Sequence, residues 1–277
     1  MMCQWEPLLK CMPPPIRKEI SRMERDTVRE IRLRCGEPIE WVCGNGCTYM
    51  DRTVSPEELR HVISTASHYS PWTAETMSRG YLTIEGGHRI GLCGTVICQN
   101  KSIKGLREVD SICIRLARDI KGIAQPFQNE KGSILIIGAP GWGKTTMLRD
   151  LCRLASAHDT TLVVDERGEL FPQGFARGKR MDVLSLCPKK EGVEMALRTM
   201  CPEIIAVDEI TAEEDSEMLL HAANCGVRLY ATAHASSVED LRTRTVYQKL
   251  LKHGVFSKVI CLHKNKSAVL ERVKLWQ

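Results

Sequence analysis

Residues 133–146 read SILIIGAPGWGKTT: a short apolar run entering a turn that carries three glycines and ends in lysine and two threonines. The turn matches G-x-x-x-x-G-K-[ST], with Gly138, Gly143, Lys144 and Thr145 at the fixed positions. Glycine lets successive backbone N–H groups curl toward one anion, because no Cβ blocks close approach. The whole loop, Gly138, Ala139, Pro140, Gly141, Trp142, Gly143, Lys144, Thr145 and Thr146, is therefore the expected cradle for a nucleoside triphosphate such as ATP. Lys144 is placed to reach the β- and γ-phosphates, and the Thr145 hydroxyl to ligate Mg²⁺. Met147, Leu148, Leu151 and Leu154 follow at helical spacing, so a helix N-terminus faces the anion. Trp142 takes a place usually given to a small residue, so its ring must turn away from the phosphates.

Working outward, apolar β-branched runs alternate with helical patterns from the loop to the end of the chain. Strands are expected at SILIIG, TLVVD, EIIAVD, RLYATAH and KVICL, and helices after the loop and around 190–200, 212–225 and 237–252. That alternation predicts an α/β domain, RecA-like, with a parallel sheet covered on both faces by helices. Upstream, QPFQNEKG at 125–132 suits a linker and divides the chain into residues 1–125, a smaller α+β N-terminal domain, and residues 126–277. In the first part, Ser55 followed by Glu58 predicts a capping box, and GYLTIEGGHRIGLCGTVI predicts a hairpin turning at Gly86-Gly87. SICIRLA reads as a further strand.

Composition excludes several classes. Formal net charge is +5, from 39 basic and 34 acidic residues among 277, too mild to argue for nucleic acid. Aromatic residues make up 5% of the chain, which leaves few platforms for base stacking, so no nucleic-acid partner is expected. No apolar run approaches the roughly 18–20 residues that span a bilayer, and Glu6, Lys10 and three prolines interrupt the N-terminal stretch. A cytoplasmic location follows as the expectation. The 13 cysteines include no C-x-x-C pair and read as reduced, buried thiols.

Two strands end in acids. Asp208 closes EIIAVD and Glu209 follows it; there Asp208 is placed to hold Mg²⁺ and Glu209 to polarise the attacking water. Asp165 closes TLVVD, with Glu166 and Glu169 just beyond it, and His234 follows RLYATA.

In order, the segments GAPGWGKTT, VVDERGEL, DVLSLCPKKEGVEMALRTMCPEIIAVDEI and ATAHASSVEDLRTR resemble the stage III sporulation protein AA family, part of the wider secretion ATPase superfamily of type II and type IV secretion motors. The likeness extends through REIRLRCGEPIE and GYLTIEGGHRIGLCGTVI and so covers most of the chain. It implies that Asp165 and Glu166 form an acidic box, that Glu166 joins Glu209 in catalysis, and that His234 senses nucleotide state. It also implies that N-terminal arginines, with Arg89, Arg115 and Arg118 as candidates, reach toward a nucleotide site. At the level of the assembly it implies a homo-hexamer held peripherally on membrane channel proteins of a sporulation complex. The chain lacks the four-cysteine zinc element of some type II motors.

Overall fold

The computed structural model describes residues 3–25, 27–44, 46–68, 80–99 and 102–273. It divides the chain into two units, Met1–Asp119 with Pro172–Phe175, and Ile120–Phe171 with Ala176–Gln277. The expected boundary at 125 falls inside the second unit, because Ala124 and Phe127 are buried in that unit's core. The Ala124 N–H also donates to Asp150 Oδ2 at 2.9 Å. The polar character of QPFQNEKG concealed these apolar anchors.

The first unit opens with α1 (Trp5–Cys11) and α2 (Pro14–Arg22), followed by β1 (Val28–Arg34), β2 (Pro38–Cys43), β3 (Gly46–Thr53) and α3 (Pro56–His68). It closes with β4 (Tyr81–Thr83), β5 (Arg89–Gln99) and β6 (Ser102–Arg115). The strands form one antiparallel sheet in the order β3-β2-β1-β6-β5-β4. Alternation sorts the side chains of β1: Ile31 and Leu33 are fully buried against Leu8, Ile16, Ile20 and Val62 of the three helices, while Glu30, Arg32 and Arg34 take the other face. The capping box forms as expected: Ser55 N–H donates to Glu58 Oε2 at 3.0 Å, and Glu58 N–H donates to Ser55 Oγ at 3.2 Å. The first hairpin also forms, with Thr83 opposite Arg89 and left-handed Gly86 and Gly87 in its turn.

His88 fixes the base of that hairpin. Its ring is fully buried; Nδ1 accepts the Ala117 N–H at 3.1 Å, so Nε2 carries the proton and donates to Gln4 O at 2.6 Å. Burial pulls its pKa below the ordinary histidine value, with the Gln4 carbonyl opposing. The unfolded chain therefore takes up a proton at a higher pH than the folded chain does. Stability is complete above about pH 6.5 and declines as pH falls through that value toward the lower folded one, by up to about 1.4 kcal/mol per pH unit. Denaturant midpoints of the intact protein between pH 7 and 5 should show this slope, and a His88→Gln variant should lose most of it.

The second unit begins with β7 (Ile134–Ile137), α4 (Lys144–Ala155), β8 (Thr161–Asp165), β9 (Met181–Ser185) and α5 (Lys189–Thr199). After these come β10 (Ile204–Ile210), α6 (Glu213–Asn224), β11 (Arg228–Ala233), α7 (Val238–Thr243), α8 (Thr245–Lys252), β12 (Lys258–Leu262) and β13 (Ala268–Arg272). The sheet order is β13-β12-β7-β11-β10-β8-β9, parallel except for β13. Successive residues of the strands feed opposite cores. Leu135, Ile137, Ile205 and Val207 pack with α5 to α8, and Ile134, Ile136, Ile204 and Ala206 pack with α4. Both faces are thus covered, which explains the unbroken apolar runs.

Two expectations need correction. The single helix over 237–252 is two, α7 and α8, because Arg244 is extended (φ −100°, ψ 122°). Its guanidinium turns back to grip the Asp240 carboxylate at 2.9 and 3.1 Å. Of the cysteines, only Cys11, Cys152 and Cys261 are buried, whereas Cys35, Cys47, Cys93, Cys98, Cys201 and Cys225 are exposed. Burial pushes the Cys11 thiol up to about 11 and holds it protonated. Among the described residues, no cluster of His, Cys, Asp and Glu is arranged to hold a metal ion. No helix among them is long and apolar enough to cross a membrane.

Candidate functional site

Strand order brings the expected residues together. β11 lies between β7 and β10, so three strand ends meet at one edge of the sheet: the glycine turn after β7, the acid pair of β10, and His234 after β11. They line a cavity of about 500 Å³ with Pro140, Gly141, Gly143, Lys144, Thr145, Thr146, Arg167, Glu169, Asp208, Glu209, Thr232 and His234 on its walls.

The turn needs glycine for its backbone rather than for space. Gly141 and Gly143 have φ of +75° and +100°, and a Cβ on either would meet nothing within 4 Å. A side chain there would be strained by the dihedral alone. Gly143 caps α4, so the first N–H groups of that helix open onto the cavity. Gly138 is tight as well as strained: its Cβ would lie 3.2 Å from Leu262 and 3.4 Å from the Trp142 ring. Trp142 therefore packs beside the loop's first residue and the apolar face shared with α4, and is not among the residues lining the cavity.

Lys144 is nearly buried, and its ammonium donates to Gly138 O at 2.9 Å and Ala139 O at 3.2 Å. It also lies 3.0 Å from His234 Nδ1. Burial pulls its pKa below the ordinary lysine value, and the charges of Asp208 and Glu209 oppose this. His234 continues the chain of contacts, with Nε2 3.0 Å from Glu209 Oε1. Glu209 Oε2 in turn pairs with Arg167 Nη1 at 2.8 Å. A line Lys144–His234–Glu209–Arg167 thus crosses the cavity, joining the phosphate loop to the acid pair.

Asp208 accepts from Thr145 Oγ1 at 2.9 Å and from Thr232 Oγ1 at 2.5 Å. The Thr145 hydroxyl and the Asp208 carboxylate form an adjacent, all-oxygen donor set, which suits Mg²⁺. Glu209 sits in a β-bulge with φ +56°, a left-handed conformation costly for a side chain. Two bonds hold it there: its N–H donates to Thr232 Oγ1 at 2.8 Å, and its carbonyl accepts from Lys189 Nζ at 2.8 Å.

The acids after β8 separate into different roles. Asp165 is buried, and its carboxylate accepts the N–H groups of Glu169, Leu170 and Phe171, each at 2.9 Å, so it shapes the loop rather than facing solvent. Burial pushes its pKa up against those donors. Glu166, expected to join in catalysis, does not line the cavity; its exposed carboxylate lies 3.7 Å from Lys189 Nζ. From that segment Arg167 and Glu169 line the cavity instead.

Of the candidate arginines of the first unit, two lie on its sheet and Arg118 follows β6. Arg89 and Arg115 are opposite each other in β5 and β6, with the Arg89 guanidinium 3.9 Å over the Tyr81 ring and Arg115 Nε 3.6 Å from Glu30. Arg118 donates to Val28 O.

Four residues of the second unit escaped the sequence reading: Arg167, Thr232, Lys189 and Lys266. The last donates to Gly141 O at 2.7 Å from the β12–β13 turn. Thr232 carried a usable signal, since it lies on β11 two residues before His234, at the strand end that carries the site.

This strand order, with the loop, the acid pair and the histidine at one edge, defines a P-loop domain of RecA-like fold. The chain belongs to the family described as sporulation stage III, protein AA, which it matches over residues 5–272. Stage III sporulation protein AA of Bacillus subtilis (strain 168) is 39% identical over 266 residues, covering 90% of this chain and 86% of that protein. Among solved structures, the pilus retraction motor PilT with bound ADP superposes with a TM-score of 0.65 at 15% identity, covering 95% of this chain and 81% of that one. The Legionella pneumophila ATPase DotB gives 0.58 at 20% identity, covering 94% and 80%. The fold is therefore shared with these two proteins.

Proposed function

We propose that this protein is the ATP-hydrolysing motor of a secretion-like channel complex between mother cell and forespore. It works as a homo-hexamer, cytoplasmic and peripherally docked on membrane channel proteins, and it couples hydrolysis to movement of one unit against the other. The observation that carries this reading is the unbroken line from the phosphate-loop lysine through His234 to Glu209. That line supplies a physical means for the chemical state of a phosphate to alter the catalytic acid.

Among the described residues, Lys144 holds backbone carbonyls and a ring nitrogen, all weaker partners than a phosphate. Engaging a triphosphate draws the ammonium away from His234 Nδ1 and changes what that ring offers to Glu209. Glu209 then takes the proton of the attacking water. Asp208 and Thr145 would hold Mg²⁺, which would supply positive charge to the nucleotide's phosphates. The arginines of the first unit, Arg89 and Arg115 foremost, complete a site as the units move.

The test is phosphate release from Mg·ATP by the purified protein beside a Lys144→Ala variant, with light scattering in each nucleotide state. Wild type should hydrolyse and assemble with nucleotide, and the variant should lose about 100-fold in affinity, toward the upper end for a charged hydrogen-bonding group. Turnover that persists in Lys144→Ala, or that rises only with single-stranded nucleic acid, would contradict the proposal.

A further inference from the structure

We infer that Arg167 is an in-chain arginine that exchanges between two anions: it restrains Glu209 while the site lacks a triphosphate, and moves to the terminal phosphate when ATP binds. The inference rests on the ATPase reading above and adds a regulation of that same site.

Three observations carry it. The first is occupancy: Glu209 Oε2 is paired with Arg167 Nη1 at 2.8 Å and Oε1 lies 3.0 Å from His234 Nε2. Both carboxylate oxygens are thus already paired, and departure of the arginine opens one of them to a water. The second is charge. Among the described residues, Lys144 and Arg167 are the only Lys or Arg side chains lining the cavity, against Glu169, Asp208 and Glu209. A polyphosphate entering that cavity needs more than one cation, and Arg167, with 63% of its side chain exposed, is the more exposed of the two. A guanidinium also exchanges readily between carboxylate and phosphate, because its planar fork matches both.

The third is construction, since the segment bearing Arg167 is held from both sides. Asp165 accepts three consecutive N–H groups from Glu169, Leu170 and Phe171. Arg149, buried in α4 behind the phosphate loop, donates to Glu169 O at 2.8 Å and to Leu170 O. The backbone around Arg167 is thereby fixed to the same helix whose N-terminus faces the anion, while the side chain stays exposed. In the proposed exchange it is the terminal phosphate of a triphosphate that takes the arginine, so release of Glu209 is tied to the presence of the bond to be broken.

The experiment titrates Mg·ADP and a Mg-bound non-hydrolysable ATP analogue into the full chain by calorimetry. It compares wild type, Arg167→Ala and Arg167→Lys, with steady-state turnover and thermal melting in parallel. Arg167→Ala should weaken the triphosphate analogue by about 10- to 100-fold, leave ADP within about twofold, and lower turnover by about 10³-fold. Arg167→Lys should recover part of the discrimination. Melting should be unchanged, as expected for an exposed side chain. Unaltered preference for the triphosphate in Arg167→Ala would overturn the inference, and so would faster turnover, which would leave only a brake. Loss of ADP binding together with lower melting would assign a structural role and overturn it too. If wild type bound neither nucleotide, the ATPase reading itself would fall, an outcome distinct from all of these.

Discussion

Replacing Glu209 by Gln should lower Mg·ATP turnover by about 10²- to 10⁴-fold, the range for removing a general base, while nucleotide affinity stays within about threefold. The separation is expected because what places Glu209 is its backbone. The N–H bond to Thr232 and the carbonyl bond from Lys189 both survive the change to an amide. So does the φ of +56°, which the bulge in β10 imposes on whichever residue stands there. What disappears is the ability to accept a proton and to pair electrostatically with Arg167. Asp208, the phosphate loop and Lys144 make no bond to the altered atoms, so binding persists. Phosphate-release kinetics together with calorimetry distinguish the outcomes; normal turnover by Glu209→Gln would remove that residue from the chemistry.

Much of the second unit was legible because most strands of its parallel sheet are buried on both faces. Five of them stood out as continuous β-branched runs, and the residues at their C-terminal ends became candidates by position. β9 and β13 did not stand out: they are the edges of the sheet, and MDVLS and AVLER mix exposed and half-buried residues. The first three strands of the first unit escaped for a related reason. VREIRLR interleaves core residues with charges that pair on the open face, as in Arg32 with Glu30 and Arg34 with Glu40. Written out, such a pattern is hard to tell from a solvated helix. At the site, the loop and the acid pair were readable because their chemistry is encoded in contiguous residues. Arg167 and Lys189 were not, because their meaning lies in pairings to Glu209 that bridge 42 and 20 residues. Even in DERGEL, the charges alone gave no basis for choosing the arginine over the glutamate beside it.

The pairing with the larger structural consequence is that of Lys189, and replacing it by Met should cost about 2–4 kcal/mol of stability and also slow turnover. Lys189 opens α5 with its ammonium nearly buried; besides bonding Glu209 O, it donates to Asp215 Oδ2 at 2.9 Å. That same oxygen accepts the N–H groups of Thr211 at 2.8 Å and Ala212 at 3.2 Å, capping α6. Burial raises the Asp215 pKa, but the Thr211 N–H and the Lys189 ammonium outweigh it, and the carboxyl ends below its usual range. Methionine keeps the packed stem but leaves a carboxylate without its cation and the Glu209 carbonyl without its donor. With one of its two restraints gone, the left-handed Glu209 can relax, so turnover at saturating ATP should fall about tenfold or more while affinity changes little. Asp215→Asn makes the roles separable. It removes the same ion pair but leaves the bond from Lys189 to the Glu209 carbonyl, so stability should fall while turnover per folded molecule is retained. Denaturant unfolding beside kcat for both variants gives the answer, and an equal loss of turnover in the two would show that Lys189 acts through α6 rather than by holding Glu209.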